Sequence, residues 1–431
     1  MTPATSVRPS VALPLTYVCT AVVTFILAAA AVPWLSAELA GHYYQPRILA
    51  LAHTVTLGWI TVTIMGASFQ LIPIMLERAL WSERLAWWQL GFMVTGVTGM
   101  VGHFFLGAWS GLVWSAAFVA LGVGLHLFNV ALTVRGVGRW TFTARMIALA
   151  LAGLGLTTLV GFALGLDKLV HVLPGELFAN LHAHVHLALL GWVLPMMIGV
   201  AARVYPMFLL AVEPAGWPGR VQLWGVVIGT PATVAGLCGV RGLLVAAAFA
   251  IVAAVAAHLV WLGAMVRTRR RPALDTGLCF VLTGAAALPV AAALGLALAL
   301  DLTSGPRVAL AYAALVLGGW VSLTIAGMLL KIVPFLVWYR AYAPVAGRAP
   351  VPTLPELSSA PGERLSWVLL TTGMATLVVA LWIGEAVWIR AAGLVVAAGA
   401  ITLGATLAGV LRHLVQRPAP AAAAVTARRP A

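Results

Sequence analysis

The stretch that decides the fold covers residues 180–206 and reads NLHAHVHLALLGWVLPMMIGVAARVYP. It combines closely spaced histidines with a Gly-Trp pair, a second glycine and a proline, at His186, Gly191, Trp192, Gly199 and Pro206. The same spacing occurs at two other places, listed in the same order: His53, Gly58, Trp59, Gly66 and Pro73, then Ala314, Gly319, Trp320, Gly327 and Pro334. The copies start 133 and 128 residues apart (186 − 53 and 314 − 186). This regularity predicts an internal repeat of a whole supersecondary unit.

The composition around the repeat is that of a membrane protein. Hydrophobic residues make up 62% of the chain and charged residues 8%, and the mean hydropathy is +1.04. Apolar runs long enough to cross about 30 Å of hydrocarbon recur between residues 11 and 412. Backbone groups in lipid must be hydrogen-bonded internally, and the alternation typical of a β-barrel is absent from the sequence. The sequence therefore predicts an all-α, polytopic membrane bundle.

The net charge of +14 is distributed unevenly along the chain. Arginines cluster after every second predicted helix, most densely at residues 269–271. The alternate loops hold only these basic residues: Arg47, Lys168, Arg241, Arg307 and Arg390. This is the positive-inside pattern, and it predicts twelve spans with both termini in the cytoplasm. Because orientation accounts for the charge, we expect the lipid bilayer as a partner and no nucleic acid.

The repeat also predicts how the bundle is divided. Three pseudo-symmetric four-helix units are expected at about 11–140, 141–271 and 272–412, each with the repeat on its second helix. Residues 1–10 are expected to form a cytoplasmic tail, and residues 413–431 a disordered, Ala- and Pro-rich one. The cysteines, Cys19, Cys238 and Cys279, occur singly in apolar segments, so neither zinc ligation nor a disulfide framework is predicted.

The glycines, tryptophans and prolines of the repeat are typical of helix packing in lipid, where small residues allow close approach. A polar residue precedes each proline by three positions: Gln70, Arg203 and Lys331. Two interpretations are open for these side chains. They extend to the cytoplasmic interface, or they contact an anion such as a haem propionate, for which Arg203 is the candidate.

The histidines suggest where chemistry takes place. His53, His182, His184 and His186 fall in the outer halves of the second and sixth predicted helices. His182 and His186 are spaced i, i+4 and share a helix face, a geometry that can present two imidazoles to one metal. His184 points about 200° round the helix. His53 and His186 occupy equivalent repeat positions, so the four residues are candidate ligands of haem iron or copper.

A simpler interpretation applies to any single histidine, namely a hydrogen-bonded packing residue. We expect that role for His103, His126 and His258.

Twelve spans in three units, with histidines on the second helix of a unit, resemble the catalytic subunit of haem-copper oxidases. The segments 53–73 and 180–192 carry the resemblance, which looks closer to shorter oxidase-like relatives, including NnrS-like proteins linked to nitric oxide stress. The resemblance implies that His53 ligates a low-spin haem and that His182, His184 or His186 ligates copper. The family also needs histidines on spans seven and ten, and residues 219–239 and 307–338 contain none. We therefore do not expect oxygen reduction or proton pumping by the oxidase mechanism.

Three functions remain open at this point. The first is a haem b- or copper-binding, oxidase-like protein of a bacterial cytoplasmic membrane, acting with other respiratory-chain or denitrification proteins. The second is a transporter or permease for a metal or an organic ion. The third is a non-catalytic assembly factor. The sequence defines no catalytic residue and no reaction.

Overall fold

The computed structural model describes residues 10–415, and within this range the chain folds into helices without a β-strand. The prediction of an all-α fold is confirmed. The expected tails at 1–10 and 413–431 lie almost wholly outside the described residues. Within 10–415, Cys19, Cys238 and Cys279 are free thiols.

Twelve long helices, α1 to α12, follow the predicted apolar runs, with ends within about four residues of those expected. In chain order they are Ala12–Trp34, Pro46–Met75, Glu83–Leu106, Leu112–Val134, Phe142–Leu166, Leu177–Leu209, Trp217–Leu237, Arg241–Thr268, Thr276–Ala299, Pro306–Ala341, Ala360–Ile383 and Ala386–Leu411.

Eleven of the described helices are long and apolar enough to cross a membrane. The exception is α7, which carries Arg220, Gln222 and Pro231 among its apolar residues. Twelve spans therefore stay a prediction. Helix α7 nevertheless packs against α8, as α3 packs against α4 and α11 against α12.

Helix contacts repeat three times along the chain. In each third, the first helix packs on the second, the second on the third, and the third on the fourth. The contacts α4–α5, α8–α9 and α12–α1 then join the thirds into a closed ring. We propose that these thirds are the units expected at about 11–140, 141–271 and 272–412.

The second glycine of each repeat packs against the first helix of the same third. A Cβ atom on Gly199 would lie 2.7 Å from the Cβ atom of Met146, and one on Gly327 would lie 2.7 Å from the Cβ atom of Phe280. Gly66 meets Tyr17 in the same way. The glycines therefore allow these helices to approach closely, as small residues do in lipid.

Each repeat helix changes its winding directly after the position of the repeat histidine. Residues Thr54–Thr61, Leu187–Val193 and Leu315–Ser322 are π-helical, and α-helical winding resumes after each. Such π segments are rare and occur frequently at functional sites. The position itself, His53, His186 or Ala314, is the last α-helical residue before the wider winding.

Tryptophans of the repeat connect the three repeat helices at the centre. The Trp192 indole donates to the Thr61 hydroxyl at 3.3 Å, and the Trp59 indole donates to the Ser322 hydroxyl at 3.0 Å. In both cases the acceptor lies two residues after the tryptophan of its own helix. In α6 that position is Leu194, whose side chain has no acceptor. The described residues therefore show two such bonds between the three repeat helices, and not a third.

Candidate functional site

The two repeat histidines have the same orientation. His53 Nδ1 lies 2.8 Å from the Leu49 carbonyl, and His186 Nδ1 lies 2.9 Å from the His182 carbonyl, each four residues earlier. A carbonyl oxygen only accepts, so Nδ1 carries the proton in both rings and Nε2 keeps a lone pair. Metal-binding histidines are commonly fixed in this way. Both side chains are half-buried between helices.

Each repeat histidine lies near a side chain of the next repeat helix. The rings of His53 and His184 are close enough for a positive charge on one to act on the other. The His186 ring stacks on Tyr312, with centroids 6.4 Å apart and planes at 20°. His184 and Tyr312 both lie two residues before the repeat position of their own helix. The sequence placed His53 and His186 in equivalent positions but did not show which side chains they face.

A glycine makes room for each of these facing rings. A Cβ atom on Gly161 of α5 would lie 2.8 Å from His184 Cε1, and one on Gly295 of α9 would lie 3.2 Å from the Tyr312 hydroxyl. The two glycines occupy equivalent positions. Gly161 lies eight residues after Gly153, and Gly295 lies eight residues after Ala287. Gly153 and Ala287 each contact the first repeat glycine of the neighbouring helix. The space around His184 and Tyr312 is thus part of the repeated architecture.

His184 also has an unpaired nitrogen. The Thr157 carbonyl lies nearby but does not complete a hydrogen bond of ordinary geometry to the buried Nδ1 atom. A buried polar atom without a partner costs about 1–3 kcal/mol. A ligand bound to Nδ1 itself would remove that cost.

His182 takes part in a different set of contacts. Its Nε2 atom lies 3.0 Å from the Tyr43 hydroxyl, and Phe178 packs beside both rings. Burial raises the pKa of Tyr43, which therefore stays a neutral phenol. The predicted metal contact shared by His182 and His186 would require the Tyr43 bond to break. In the structure, the backbone carbonyl of His182 accepts the hydrogen bond that His186 Nδ1 donates.

Aromatic rings connect His53 to the loops at the same end of the bundle. Phe104 stacks on His53 at 4.9 Å, and Trp109 meets Phe104 edge-on at 5.9 Å. The Lys168 ammonium lies 5.4 Å from the Trp109 ring and binds the Tyr44 hydroxyl. A cation therefore lies at the end of this row of rings, where sequence analysis had predicted only a loop lysine.

Arg203 lies far from the histidines. It pairs with Glu213, and about half of each side chain is exposed. Seventeen residues separate Arg203 from His186, which is roughly 25 Å along a helix. The structure therefore does not bring Arg203 to the predicted cofactor ligands and agrees with the interfacial interpretation. Lys331 likewise pairs with Asp275.

Two buried Gln–His combinations were missed in the sequence. His258 Nδ1 lies 3.2 Å from Gln222 Oε1, and both side chains are buried, so His258 is the hydrogen-bonded packing residue expected. Gln89 and His126 stand 133 and 132 residues earlier, at the equivalent places in α3 and α4. There the Gln89 amide donates to Met65 Sδ at 3.1 Å, and both nitrogens of His126 have no partner among the described residues. The repeat spacing was a signal that would have revealed these positions.

The ligand set favours a cofactor that needs few protein nitrogens. Among residues 10–415, no group of three or more His, Cys, Asp or Glu side chains is arranged to hold a metal ion. The histidines instead occur without a third ligand residue nearby, and the Nε2 atoms of His53 and His186 are free. Haem iron takes one or two axial ligands from the protein, so this set fits haem.

Comparison with solved structures supports an oxidase-like fold. A heme-copper terminal oxidase, determined as a dimer by cryo-EM, aligns with 95% of this chain and 84% of its own. The TM-score is 0.65 and the sequence identity is 12%. No family description matches the sequence, and no curated protein matches it. The chain therefore has a helical fold similar to that of a haem-copper terminal oxidase.

Proposed function

We propose that the protein is a haem-binding, oxidase-like protein of the bacterial cytoplasmic membrane, with haem b held between α2 and α6. The observation that carries the proposal is that His53 and His184, on two repeat helices, are near enough to interact electrostatically. The Trp192–Thr61 hydrogen bond joins the same two helices. His53 offers an oriented Nε2 atom, and His184 has an unpaired buried nitrogen. Two such imidazoles in an apolar bundle would each supply a ligand nitrogen to haem iron.

The surroundings of this pair support the same assignment. Phe104 and Trp109 provide aromatic surface beside His53, and Lys168 provides a positive charge at the outer margin. A haem has an apolar ring and two carboxylates, so an aromatic pocket with one cationic edge matches its chemistry. Arg203, the candidate that the sequence suggested for the propionates, lies at the opposite end of its helix.

The bound haem would supply one-electron chemistry. The chain would hold the ring, and it would exclude water with packed aromatic side chains. The Leu49 carbonyl fixes the orientation of the His53 imidazole. The six-histidine oxidase site has no counterpart, because α7 and α10 contain no histidine. We therefore propose an electron-transfer role with proteins of respiratory or denitrification pathways, and no pumping of protons by the oxidase mechanism.

The test is the haem content of purified protein. We expect wild-type protein from membranes to show a Soret band and a low-spin spectrum, with haem quantified as the pyridine complex. His53→Ala and His184→Ala should each change that spectrum and lower the ratio of haem to protein. His171→Ala, on an exposed outer-loop histidine, and Arg203→Gln should leave both unchanged.

Other outcomes would decide against haem. Folded wild-type protein that is colourless but carries copper would support the copper hypothesis. Colourless, metal-free protein that takes up ions into proteoliposomes would support the transporter hypothesis. Colourless protein without uptake would leave the assembly-factor hypothesis.

A further inference from the structure

A groove opens between α5 and α7 on the flank of the bundle, at the end where these two helices begin. Its volume is about 350 Å³, and its lining includes Trp140, Arg145, Leu149, Leu223, Trp224 and Val227. Farther along the same two helix faces, Leu156 and Ile228 are exposed. An exposed apolar flank of this kind marks contact with the membrane, so the groove opens to lipid.

We propose that the α5–α7 groove binds one anionic phospholipid, with its phosphate at Arg145 and an acyl chain between the two helices. The site lies outside the histidine-bearing region of the bundle. The proposal is therefore independent of whether the protein binds haem.

Positive charge at the head of the groove has no acidic residue of α5 to compensate it. Arg145 is exposed and forms no ion pair or side-chain hydrogen bond with another residue of 10–415. The segment 135–145 contains three arginines, and the whole stretch 84–166 contains no acidic residue. Arg220 is also exposed and lies one helical turn before Trp224 on the same face of α7. Guanidinium groups in this arrangement are suited to a phosphate.

The head group, and not the acyl chain, gives the site its selectivity. Lipid tails are as apolar as leucine side chains, so insertion of a chain into the groove does not distinguish one lipid from another. Arginines near the membrane surface attract anionic lipids specifically. Trp140 and Trp224 are each about half exposed, as is typical of tryptophans at the level of the lipid head groups. We therefore expect an anionic lipid to be preferred to a neutral one.

The corresponding interface in the last third of the chain is bridged by a hydrogen bond. The Trp367 indole of α11 donates to the Thr283 hydroxyl of α9 at 3.1 Å. Thr283 lies three residues after Phe280, as Leu149 lies three residues after Met146, and Phe280 and Met146 meet equivalent repeat glycines. Leu149 has no acceptor, so this bridge cannot form between α5 and α7.

The cation is also specific to the middle third. Arg145 directly precedes the residue of α5 that meets the second repeat glycine, and the corresponding residues are Thr16 in α1 and Cys279 in α9. The place of Trp224, two residues after Gln222, is held in α3 by Gly91, two residues after Gln89. The combination of an arginine with an open apolar groove is therefore not a general feature of the repeat.

Retention of lipids by the purified full chain tests the proposal. Native mass spectrometry in detergent would compare added phosphatidylglycerol with phosphatidylcholine of the same acyl chains. We expect wild-type protein to retain one phosphatidylglycerol about five-fold more tightly, and Arg145→Gln to lose this preference. Arg348→Gln removes the same charge from an exposed loop at the same end of the bundle and should keep the preference.

A second variant fills the groove without changing the charge. Leu223 and Trp367 each lie six residues before the glycine that packs on the fourth helix, Gly229 or Gly373. Leu149→Thr combined with Leu223→Trp would therefore reproduce the bridge between α9 and α11. We expect this double variant to keep the wild-type thermal midpoint or exceed it, and to lose retention of both lipids.

Four results would overturn the proposal. The first is equal retention of the two lipids by wild-type protein, and the second is an equal loss in Arg145→Gln and Arg348→Gln. Release of phosphatidylglycerol by millimolar inorganic phosphate would show a site for free anions instead of a lipid. A wild-type dimer that dissociates in the groove-filling variant would assign the groove to a second copy of the chain.

Discussion

At the scale of single residues, two equivalent buried histidines differ in hydrogen bonding: His258 is paired and His126 is not. In α6, Ile198 offers nothing to Gln222, whose amide turns to the Pro218 carbonyl and presents its oxygen to His258. In α2 the equivalent residue is Met65, whose sulfur accepts the amide of Gln89. The remaining oxygen of Gln89 and the whole ring of His126 are then left without partners. The two equivalent Gln–His combinations therefore differ in hydrogen bonding.

This contrast gives a paired prediction. His258→Leu removes a buried bond and leaves the Gln222 oxygen unpaired, so we expect a loss of about 1–3 kcal/mol in the free energy of unfolding. His126→Leu removes no bond and two unpaired nitrogens, so we expect no loss or a gain. Denaturant titration in detergent measures both variants. Equal losses would contradict the prediction and would indicate that a buried water molecule pairs with His126 in the membrane.

The residue scale is also where sequence reasoning reached its limit. Spacing alone predicted that His53 and His186 are equivalent, because equivalence is a property of the repeat. It could not predict that Tyr43 binds His182 or that Arg203 pairs with Glu213, because both contacts join segments that only the folded chain brings together. The i, i+4 pair of His182 and His186 shares a helix face, yet its two rings have different neighbours.

At the scale of elements, the repeat glycines set the distance between the first and second helix of each third. The three positions are Gly66, Gly199 and Gly327, and each would place a side chain on a neighbouring backbone or Cβ atom. Sequence analysis explained these residues as packing residues, and the contacts agree. The π-helical segments were not predicted, because their residues have no composition that separates them from an ordinary apolar helix.

A substitution in α6 tests this account of the element. Gly199→Ala would place a methyl group 2.7 Å from Met146 Cβ, which is too close for van der Waals contact. Overpacking of this kind costs about 1–3 kcal/mol, so we expect a lower thermal midpoint in detergent. Gly91→Ala in α3 is the matched control, since nothing lies within 4 Å and the residue is exposed. An equal midpoint for the two variants would refute the packing role of Gly199.

At the scale of the whole molecule, hydropathy and charge predicted most of the architecture. All twelve predicted segments are helices, because a long apolar run in lipid has no other way to satisfy its backbone. Sequence analysis did not predict that α12 packs on α1 and closes the ring, because this depends on tertiary contacts such as Gly393 against Pro33. The direction of the bundle across the membrane rests on the arginine distribution.

Cysteine labelling tests that direction. In a background without Cys19, Cys238 and Cys279, Ser304→Cys should react with a membrane-impermeant maleimide in intact spheroplasts. Ala346→Cys, exposed in the predicted cytoplasmic loop, should react only after the membrane is opened. The reverse pattern would invert the bundle and place the histidine pockets at the cytoplasmic side.

The π-helical segments have a consequence for how the chain tolerates deletions. A π turn amounts to one extra residue within an α-helix, and each residue of an α-helix rotates the remainder of that helix by about 100°. Shortening Leu187–Val193 by one residue would remove that extra residue and restore regular winding, so Gly199 and Pro206 would keep nearly the same direction relative to His186. The same deletion in an α-helical part of α6 would turn one end against the other by about 100°. A one-residue deletion should therefore be tolerated better within the π-helical segment than elsewhere in the same helix.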